Sequence, residues 1–143
     1  MEELDLVALL DAIRTMERNV SITLMYSGLR LSQYRLLDRL ESEHAATVTQ
    51  MSRALNITRA SASVMINELV QSGVLAMVEN PSDRRSFYLR LTELGRNKLN
   101  VARSDLSVLQ GKLAGRYSEE TIRILNNFCR SHQTVRVLDA EGV

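Results

Sequence analysis

The amino-acid sequence predicts a mainly α-helical protein that carries one small β-hairpin. Apolar residues recur at steps of three and four over most of the chain, which is the period of amphipathic helices. The only proline is Pro81, as suits a chain built from helices. Two short β-type runs flank the polar turn that contains this proline, and they predict the hairpin.

The bulk composition predicts one domain that needs no disulfide or metal to fold. Of the 143 residues, 45% are hydrophobic and 24% are charged, as in ordinary globular proteins. The single cysteine, Cys129, excludes an internal disulfide framework and a multi-cysteine zinc site. Because the two histidines are also far apart, no metal site is expected, and no cofactor is predicted. No apolar run approaches the ~20 residues of a membrane span, and the acidic N-terminus lacks the basic segment of a signal peptide. These features predict a cytoplasmic protein.

The first part of the chain predicts two helices. The first covers residues 4–26 and ends at Gly28, and its apolar stripe is Leu6, Leu9, Ile13, Met16, Val20 and Leu24. The second is capped by Ser32, and its apolar side is Leu36, Leu37 and Leu40. The polar residues 41–44 then predict a loop.

The segment 47–73 has the layout of a helix-turn-helix. Thr47 and Gln50 have the spacing of a capping box at the start of a short helix. Asn56 tolerates the left-handed conformation of a tight turn, Thr58 caps the longer helix that follows, and Gly73 ends it. The residues expected to point inward are Met51, Ala54 and Leu55 in the short helix and Ala62, Met65, Ile66, Leu69 and Val70 in the longer one.

A hairpin and two long helices complete the predicted fold. Strands are expected over residues 74–78 and 86–91, and the second has Phe87, Leu89 and Leu91 on its buried face. Thr92 caps a helix that Gly115 ends and whose apolar stripe is Leu99, Ala102, Leu106, Leu109 and Leu113. Ser118 begins the last helix, whose packed side is Ile122, Leu125, Phe128 and Cys129. A helix-turn-helix followed by such a hairpin is typical of a winged helix, and winged helices mostly bind DNA.

The charge distribution favours a nucleic-acid partner at the same place. The net charge of the chain is only +1. Residues 48–98, however, hold seven basic and four acidic side chains, whereas the remainder has a small acidic excess. The cationic field therefore coincides with the helix-turn-helix and the hairpin.

The candidate DNA-contacting residues lie on the second helix of the helix-turn-helix and at the hairpin tip. On the helix they are Thr58, Arg59, Ser61, Ser63, Val64 and Asn67; on the hairpin they are Asp83, Arg84 and Arg85. Arginine and asparagine read guanine and adenine edges, small hydroxyl side chains let the backbone approach, and valine contacts a thymine methyl group. A solvated face would account for the helix pattern equally well, but arginines at a hairpin tip favour a DNA groove. We expect Asp83 to pair with an arginine, to form the turn, or both.

The chain resembles the MarR-type winged-helix transcription regulators. The resemblance is carried by Asp83-Arg84-Arg85, by the run Leu91-Thr92-Glu93-Leu94-Gly95-Arg96, and by the junction LVQSGVL at residues 69–75. It implies a homodimer with recognition helices in successive major grooves of double-stranded DNA and wing arginines in the minor grooves. It also implies repression that a small ligand, often phenolic or anionic, releases from a site between the dimer helices and the DNA-binding lobe.

Residues 1–143 are accordingly expected to form a single domain. Residues 1–30 and 99–143 are the expected dimerisation helices, because their apolar stripes exceed what one small core can absorb. Residues 31–98 are the expected winged-helix lobe.

Two other functions were weighed against this prediction. Val64, Glu68, Met77 and Glu79 stand where family members are often basic. They favour the alternative of a ligand-sensing or protein-binding member with weak or lost specific DNA binding. An enzyme is disfavoured, because the chain holds no nucleophile elbow, phosphate-binding loop, zinc-protease motif or plausible triad.

Overall fold

The computed structural model describes residues 1–134 of the chain, so the end of the predicted dimerisation segment lies outside the described residues. The elements are α1 (Leu6–Thr23), a 3₁₀ turn (Leu24–Ser27), α2 (Leu31–Glu43), β1 (Ala46–Thr47), α3 (Val48–Ala54), α4 (Arg59–Gln71), β2 (Leu75–Asn80), β3 (Asp83–Leu91), α5 (Glu93–Ala114) and α6 (Glu119–Thr134). The strands form one antiparallel sheet in the order β1-β3-β2. The predicted fold class, a helical chain with a helix-turn-helix and a β wing, is confirmed.

The described residues divide into two compact units. The first runs from Met1 to Leu106 and contains every element up to the first half of α5. The second begins at Ser107 and contains the rest of α5 and α6. The division into dimerisation helices and a DNA-binding lobe stays a prediction.

Local side-chain chemistry fixes the ends of the central helices as the sequence predicts. The Thr47 hydroxyl accepts the Gln50 N–H at 3.1 Å, and the Gln50 side chain accepts the Thr47 N–H at 2.9 Å. Asn56 has φ 55°, and Gly73, which follows α4, has φ 78°. The two helices of the helix-turn-helix therefore begin and end where short-range rules require.

Helix boundaries nearer the N-terminus differ from the prediction. The N-cap of α2 is Arg30 and not Ser32, and the side chain of Gln33 at N3 accepts the Arg30 N–H at 3.0 Å. Residues 41–44 are no loop, since α2 continues to Glu43 and only His44, at φ 64°, leaves the helix. Ala54, expected to point inward, is exposed near the end of the short α3.

The sheet is larger than the predicted hairpin. The strands β2 and β3 extend to Asn80 and from Asp83, so the turn consists of Pro81 and Ser82 alone. A third strand, β1, pairs with the middle of β3. This strand has two residues, which is too short for the alternation by which a strand is recognised in a sequence.

The core of the first unit lies between α2, α4, α5 and the base of the sheet. Its buried members include eleven residues that the sequence assigns to apolar faces: Leu36, Leu37, Leu40, Met51, Ala62, Met65, Ile66, Leu69, Leu89, Leu99 and Ala102. Leu91 is half-buried, and Phe87, predicted to face the core, is 40% exposed. The reason is that Phe87 pairs with Glu79, beyond the part of the sheet that the helices cover.

A charged cluster fastens α5 to α2 within the first unit. The Arg103 guanidinium contacts the Asp38 carboxylate at 2.7 Å and the Glu41 carboxylate at 2.6 Å. The hydrogen bond to Asp38 raises the pKa of Arg103 above its ordinary value, which favours the charged guanidinium. Burial beside this cluster raises the pKa of Tyr34, which keeps its phenol neutral.

The second unit leaves its apolar residues largely uncovered. Leu109, Leu113 and Ile122 are half-buried, whereas Leu125 and Phe128 are exposed. Cys129, predicted to be packed, is also exposed in the single chain. The prediction placed it correctly on the apolar side of α6, but no described part of the same chain covers that side.

The start of α5 is packed closely against Val74, the residue that precedes β2. A Cβ built on Gly95 would lie 2.2 Å from the carbonyl oxygen of Val74, so only glycine fits there. The Thr92 hydroxyl accepts the Gly95 N–H at 3.0 Å and caps α5, as predicted. The Thr92 N–H in turn donates to the Val74 carbonyl at 3.1 Å. The motif from Thr92 to Gly95 therefore joins the start of α5 to the chain that enters β2.

Gly95→Ala is expected to lower the free energy of unfolding by about 1–3 kcal/mol or more, because the added methyl group must displace backbone. Urea denaturation followed by circular dichroism measures this change. Gly111→Ala in the same helix is the matched control. A Cβ there meets no described atom within 4 Å, and the substitution should raise stability by up to about 1 kcal/mol. Equal stabilities of the two variants would contradict the assigned role of Gly95.

Candidate nucleic-acid interface

The helix α4 brings six of the predicted contact residues together. Its inner side is committed to the core through residues 62, 65, 66 and 69. Arg59, Ser61, Val64 and Asn67 are exposed on the outer side, and Ser63 is half-buried. Thr58 stands at the N-cap, where its hydroxyl accepts the Ser61 N–H at 3.1 Å. The outer face consequently carries short side chains, which let a helix backbone approach a partner closely.

The polar residues of this face form one row. Arg59, Ser63 and Asn67 follow each other at intervals of four and therefore stack along the helix. Val64 lies beside the row and is 61% exposed. Thr58 and Ser61 are partly committed to each other, because the Thr58 hydroxyl also lies 2.9 Å from the Ser61 hydroxyl. Among the described residues, the side chains available to a partner are therefore those of the row and of Val64. The hydroxyls of Thr58 and Ser61 chiefly order the start of α4.

Glu68 does not face solvent as an unpaired acid. Its carboxylate forms an ion pair with the guanidinium of Arg30, the N-cap residue of α2. Glu68 is one of the residues that favour weak DNA binding in the sequence, and Arg30 is not among the predicted contact residues. No sequence signal links two residues separated by 38 positions, so only the packing of α2 beside α4 could reveal the pair.

The wing tip is organised by two short polar side chains. The Asn80 side chain accepts the Ser82 N–H at 3.0 Å and donates to the Ser86 hydroxyl at 3.0 Å. The Asp83 carboxylate accepts the backbone N–H of Arg85 at 2.9 Å. Of the two roles expected for Asp83, turn formation is therefore present. Within residues 1–134 its carboxylate forms no ion pair with an arginine, so the pairing role is wrong.

A register shift in the wing displays the two arginines. Glu79 pairs with Phe87 and Asn80 pairs with Asp83, so residues 84–86 are inserted between these two pairs. Such a bulge bends the strand and turns its extra residues away from the regular ladder. Arg84 and Arg85 belong to this insertion, and both are exposed. The role of the Asn80 side chain in ordering the wing tip could have been predicted from the sequence, because asparagine beside proline is a common turn former.

Open grooves border α4 and α2. One of about 480 Å³ runs along α4 and is lined by Arg30, Ser32, Ile57, Ala60, Ser61, Val64, Met65 and Glu68. The other, of about 500 Å³, lies between α1 and α2 and is lined by Glu17, Ser21, Met25, Leu29, Arg30, Leu31, Ser32 and Arg35. Within residues 1–134 no cluster of three or more His, Cys, Asp or Glu side chains could hold a metal ion.

Known proteins match both the sequence and the fold. The MarR family model matches residues 27–86. An uncharacterised protein of Mycobacterium tuberculosis and its counterpart in Mycobacterium bovis are each 31% identical over 99 residues, which is 69% of this chain and 68% of theirs. No helix among residues 1–134 is long and apolar enough to cross a membrane.

Two solved structures illustrate the likeness of the fold. BpsR of Bordetella bronchiseptica, whose DNA binding is regulated by 6-hydroxynicotinic acid, has a TM-score of 0.83 at 20% identity. That match covers 94% of this chain and 96% of BpsR. A mutant of E. coli MarR in complex with operator DNA has a TM-score of 0.81 at 17% identity, over 90% of this chain and 93% of that one.

Two substitutions at Asp83 distinguish the effect of its hydrogen bond from the effect of its negative charge. Asp83→Ala should speed amide hydrogen exchange at Arg85, because the N–H loses its acceptor, whereas Asp83→Asn should preserve protection through its side-chain oxygen. Exchange measured by NMR on the two variants checks this. Faster exchange in both variants alike would mean that the negative charge, and not the acceptor, orders the tip.

Proposed function

We propose a function on the premise that the chain belongs to the MarR family of transcription regulators. As a homodimer it binds a near-palindromic operator, with α4 of each copy in the major groove and Arg84 and Arg85 in the adjacent minor groove. It acts as a repressor, which a small phenolic or anionic ligand releases. The observation that carries the proposal is the display of both arginines on an ordered bulge of the wing.

The shape of α4 supports insertion into a major groove. A groove about 12 Å wide admits a helix only if its outer side chains are short or reach base edges. The row of Arg59, Ser63 and Asn67 meets this condition: arginine reads guanine, asparagine reads adenine, and serine lets the helix approach. Val64 beside the row suits a thymine methyl group. Thr58 and Ser61 lie at the helix start, where backbone N–H groups favour a phosphate.

The wing supports a contact in the minor groove. A narrow minor groove has an enhanced negative potential, into which an arginine side chain fits. Arg84 and Arg85 are exposed at the tip, and Asn80 and Asp83 fix the backbone that carries them. An ordered loop loses less conformational entropy on binding than a loose one, so this order favours affinity.

Exposed apolar residues support a homodimer. No residue of α1 is buried, and Leu6, Leu10 and Ile13 are exposed. In the second unit, Leu125 and Phe128 on α6 are exposed as well. An uncovered apolar stripe of this kind typically marks a protein interface. A two-fold dimer would place its recognition helices about 34 Å apart, which is one turn of DNA.

The release by a small ligand rests on the likeness to BpsR and on the groove between α1 and α2. BpsR is regulated in its DNA binding by 6-hydroxynicotinic acid, an aromatic acid. In this chain the groove combines Arg30 and Arg35 with apolar Met25 and Leu29. Guanidinium groups beside an apolar wall suit a small anionic ring compound.

A second candidate is a family member that binds a ligand or protein and has lost specific DNA binding. The exposed Val64 and Met77 and the acidic Glu79 favour it, because they replace phosphate contacts with apolar or repulsive groups. The pairing of Glu68 with Arg30 weakens this case, since that acid is partly neutralised.

Selection of fragments from the genomic DNA of the source organism decides between the two candidates. The first predicts enrichment of one near-palindromic sequence. The second predicts binding that stays near ~10⁻⁴–10⁻⁶ M for every sequence, with no enriched motif.

On the enriched duplex, Arg84→Ala with Arg85→Ala is expected to weaken binding and to lower the dependence of log K on log salt by about 0.9 for each lost phosphate contact. Fluorescence anisotropy at several salt concentrations measures both quantities. Arg39→Ala, which removes one cation from an exposed pair with Glu43, is the control and should change neither. Wild-type affinity and slope in the double variant would exclude the wing from the interface.

A further inference from the structure

The ion pair between Arg30 and Glu68 borders the proposed DNA-contacting face, and the DNA contacts proposed above do not include it. We propose that Arg30 is a further contact to the DNA backbone and that Glu68 competes with phosphate for its guanidinium. The pair then sets the DNA affinity of the chain. This inference rests on the proposed function only in placing a duplex against α4.

The Arg30–Glu68 pair lies on one flank of α4, where it would face the backbone that lines the major groove of a bound duplex. Successive residues of a helix are separated by about 100°, so Val64 lies between the polar row ending at Asn67 and the flank that carries Glu68. A helix about 10–12 Å across fills a major groove about 12 Å wide, and phosphates therefore lie against both flanks. Arg30 and Glu68 line the groove of about 480 Å³ on one of these flanks.

The surroundings allow a phosphate to replace the carboxylate. The Arg30 and Glu68 side chains are 65% and 48% exposed, so water and a polyanion reach both. Pairs exposed to this degree are weak, because water and salt screen them. A duplex presents one negative charge per about 1.7 Å of its axis, and the planar guanidinium binds phosphate with the same two-pronged geometry as carboxylate.

A purely structural role for the pair is not required by the packing. The helix α4 is already held by four residues with almost complete burial, Ala62, Met65, Ile66 and Leu69. The start of α2 is fixed separately, by the bond between the Arg30 N–H and the Gln33 side chain. Loss of the ion pair should therefore leave both helices in place and alter only the charge offered to DNA.

The test compares Arg30→Gln, Glu68→Gln and the double variant on a duplex of scrambled sequence, at salt concentrations from about 50 to 200 mM. Glu68→Gln should bind more tightly than the wild type, because Arg30 no longer has a competing partner. Arg30→Gln should bind more weakly, with a salt slope lower by about 0.9. The double variant should keep the lower slope of Arg30→Gln.

Glu43→Gln is the matched control, since it removes the carboxylate of another exposed pair, Arg39–Glu43, at the opposite end of α2. It should bind as the wild type does. Thermal unfolding of each variant verifies that the fold is retained.

The signature of competition is that Glu68→Gln tightens binding only while Arg30 is present, so the double variant should bind no more tightly than Arg30→Gln. Weaker DNA binding by both single variants would mean that the ion pair supports the fold, and this would overturn the proposal. An unchanged salt slope of log K in Arg30→Gln would show that Arg30 contacts no phosphate, and this would overturn it as well. Because phosphate contacts do not depend on sequence, these results stay separate from the proposed function, which fails if no operator is enriched. A wild-type protein that binds no duplex at all would overturn both.

Discussion

The close approach of α5 to the carbonyl of Val74 is the constraint on which the candidate interface depends. Gly95 permits that approach, and Thr92 secures it with hydrogen bonds from its N–H to Val74 and from the Gly95 N–H to its hydroxyl. Val74 directly follows the glycine that ends α4 and directly precedes the first wing strand. One backbone contact therefore joins the end of α4, the base of the wing and α5, so the wing arginines are carried by a fixed base.

Acidic and amide side chains near the candidate interface have hydrogen-bond or ion-pair partners within the protein. Asn80 and Asp83 bind backbone N–H groups of the wing, and Glu68 binds Arg30. The acids Glu68 and Asp83 near the proposed DNA-contacting face therefore have partners within the protein. In the proposed account, a modest net charge is compatible with DNA binding because a few arginines are presented in ordered positions, while the main competing acid is one that phosphate can displace.

Features governed by neighbours in the sequence could be predicted, and those governed by packing could not. The Thr47–Gln50 capping box, the left-handed Asn56 and the Thr92 cap depend on residues at most a few positions apart, and all three are present. The strand β1, with two residues, has no pattern to detect, and it forms because β3 lies beside it. Likewise the pairing of Glu68 with Arg30 and the steric need for Gly95 arise from contacts between distant segments. Phe87 was misassigned because alternation marks the two faces of a strand but not how far the core extends along it.

The central claim is that α4 and the wing of a two-fold dimer both contact DNA. Hydroxyl-radical footprinting of the protein on its enriched operator tests it most directly, because one experiment reports the contacts of α4, the contacts of the wing and the symmetry of both. The account predicts two equivalent protected regions whose centres are about one helical turn apart, each flanked by minor-groove protection. The flanking protection should vanish in the Arg84→Ala, Arg85→Ala variant while the central regions persist. A single asymmetric footprint, or flanking protection that survives loss of both arginines, would contradict the account.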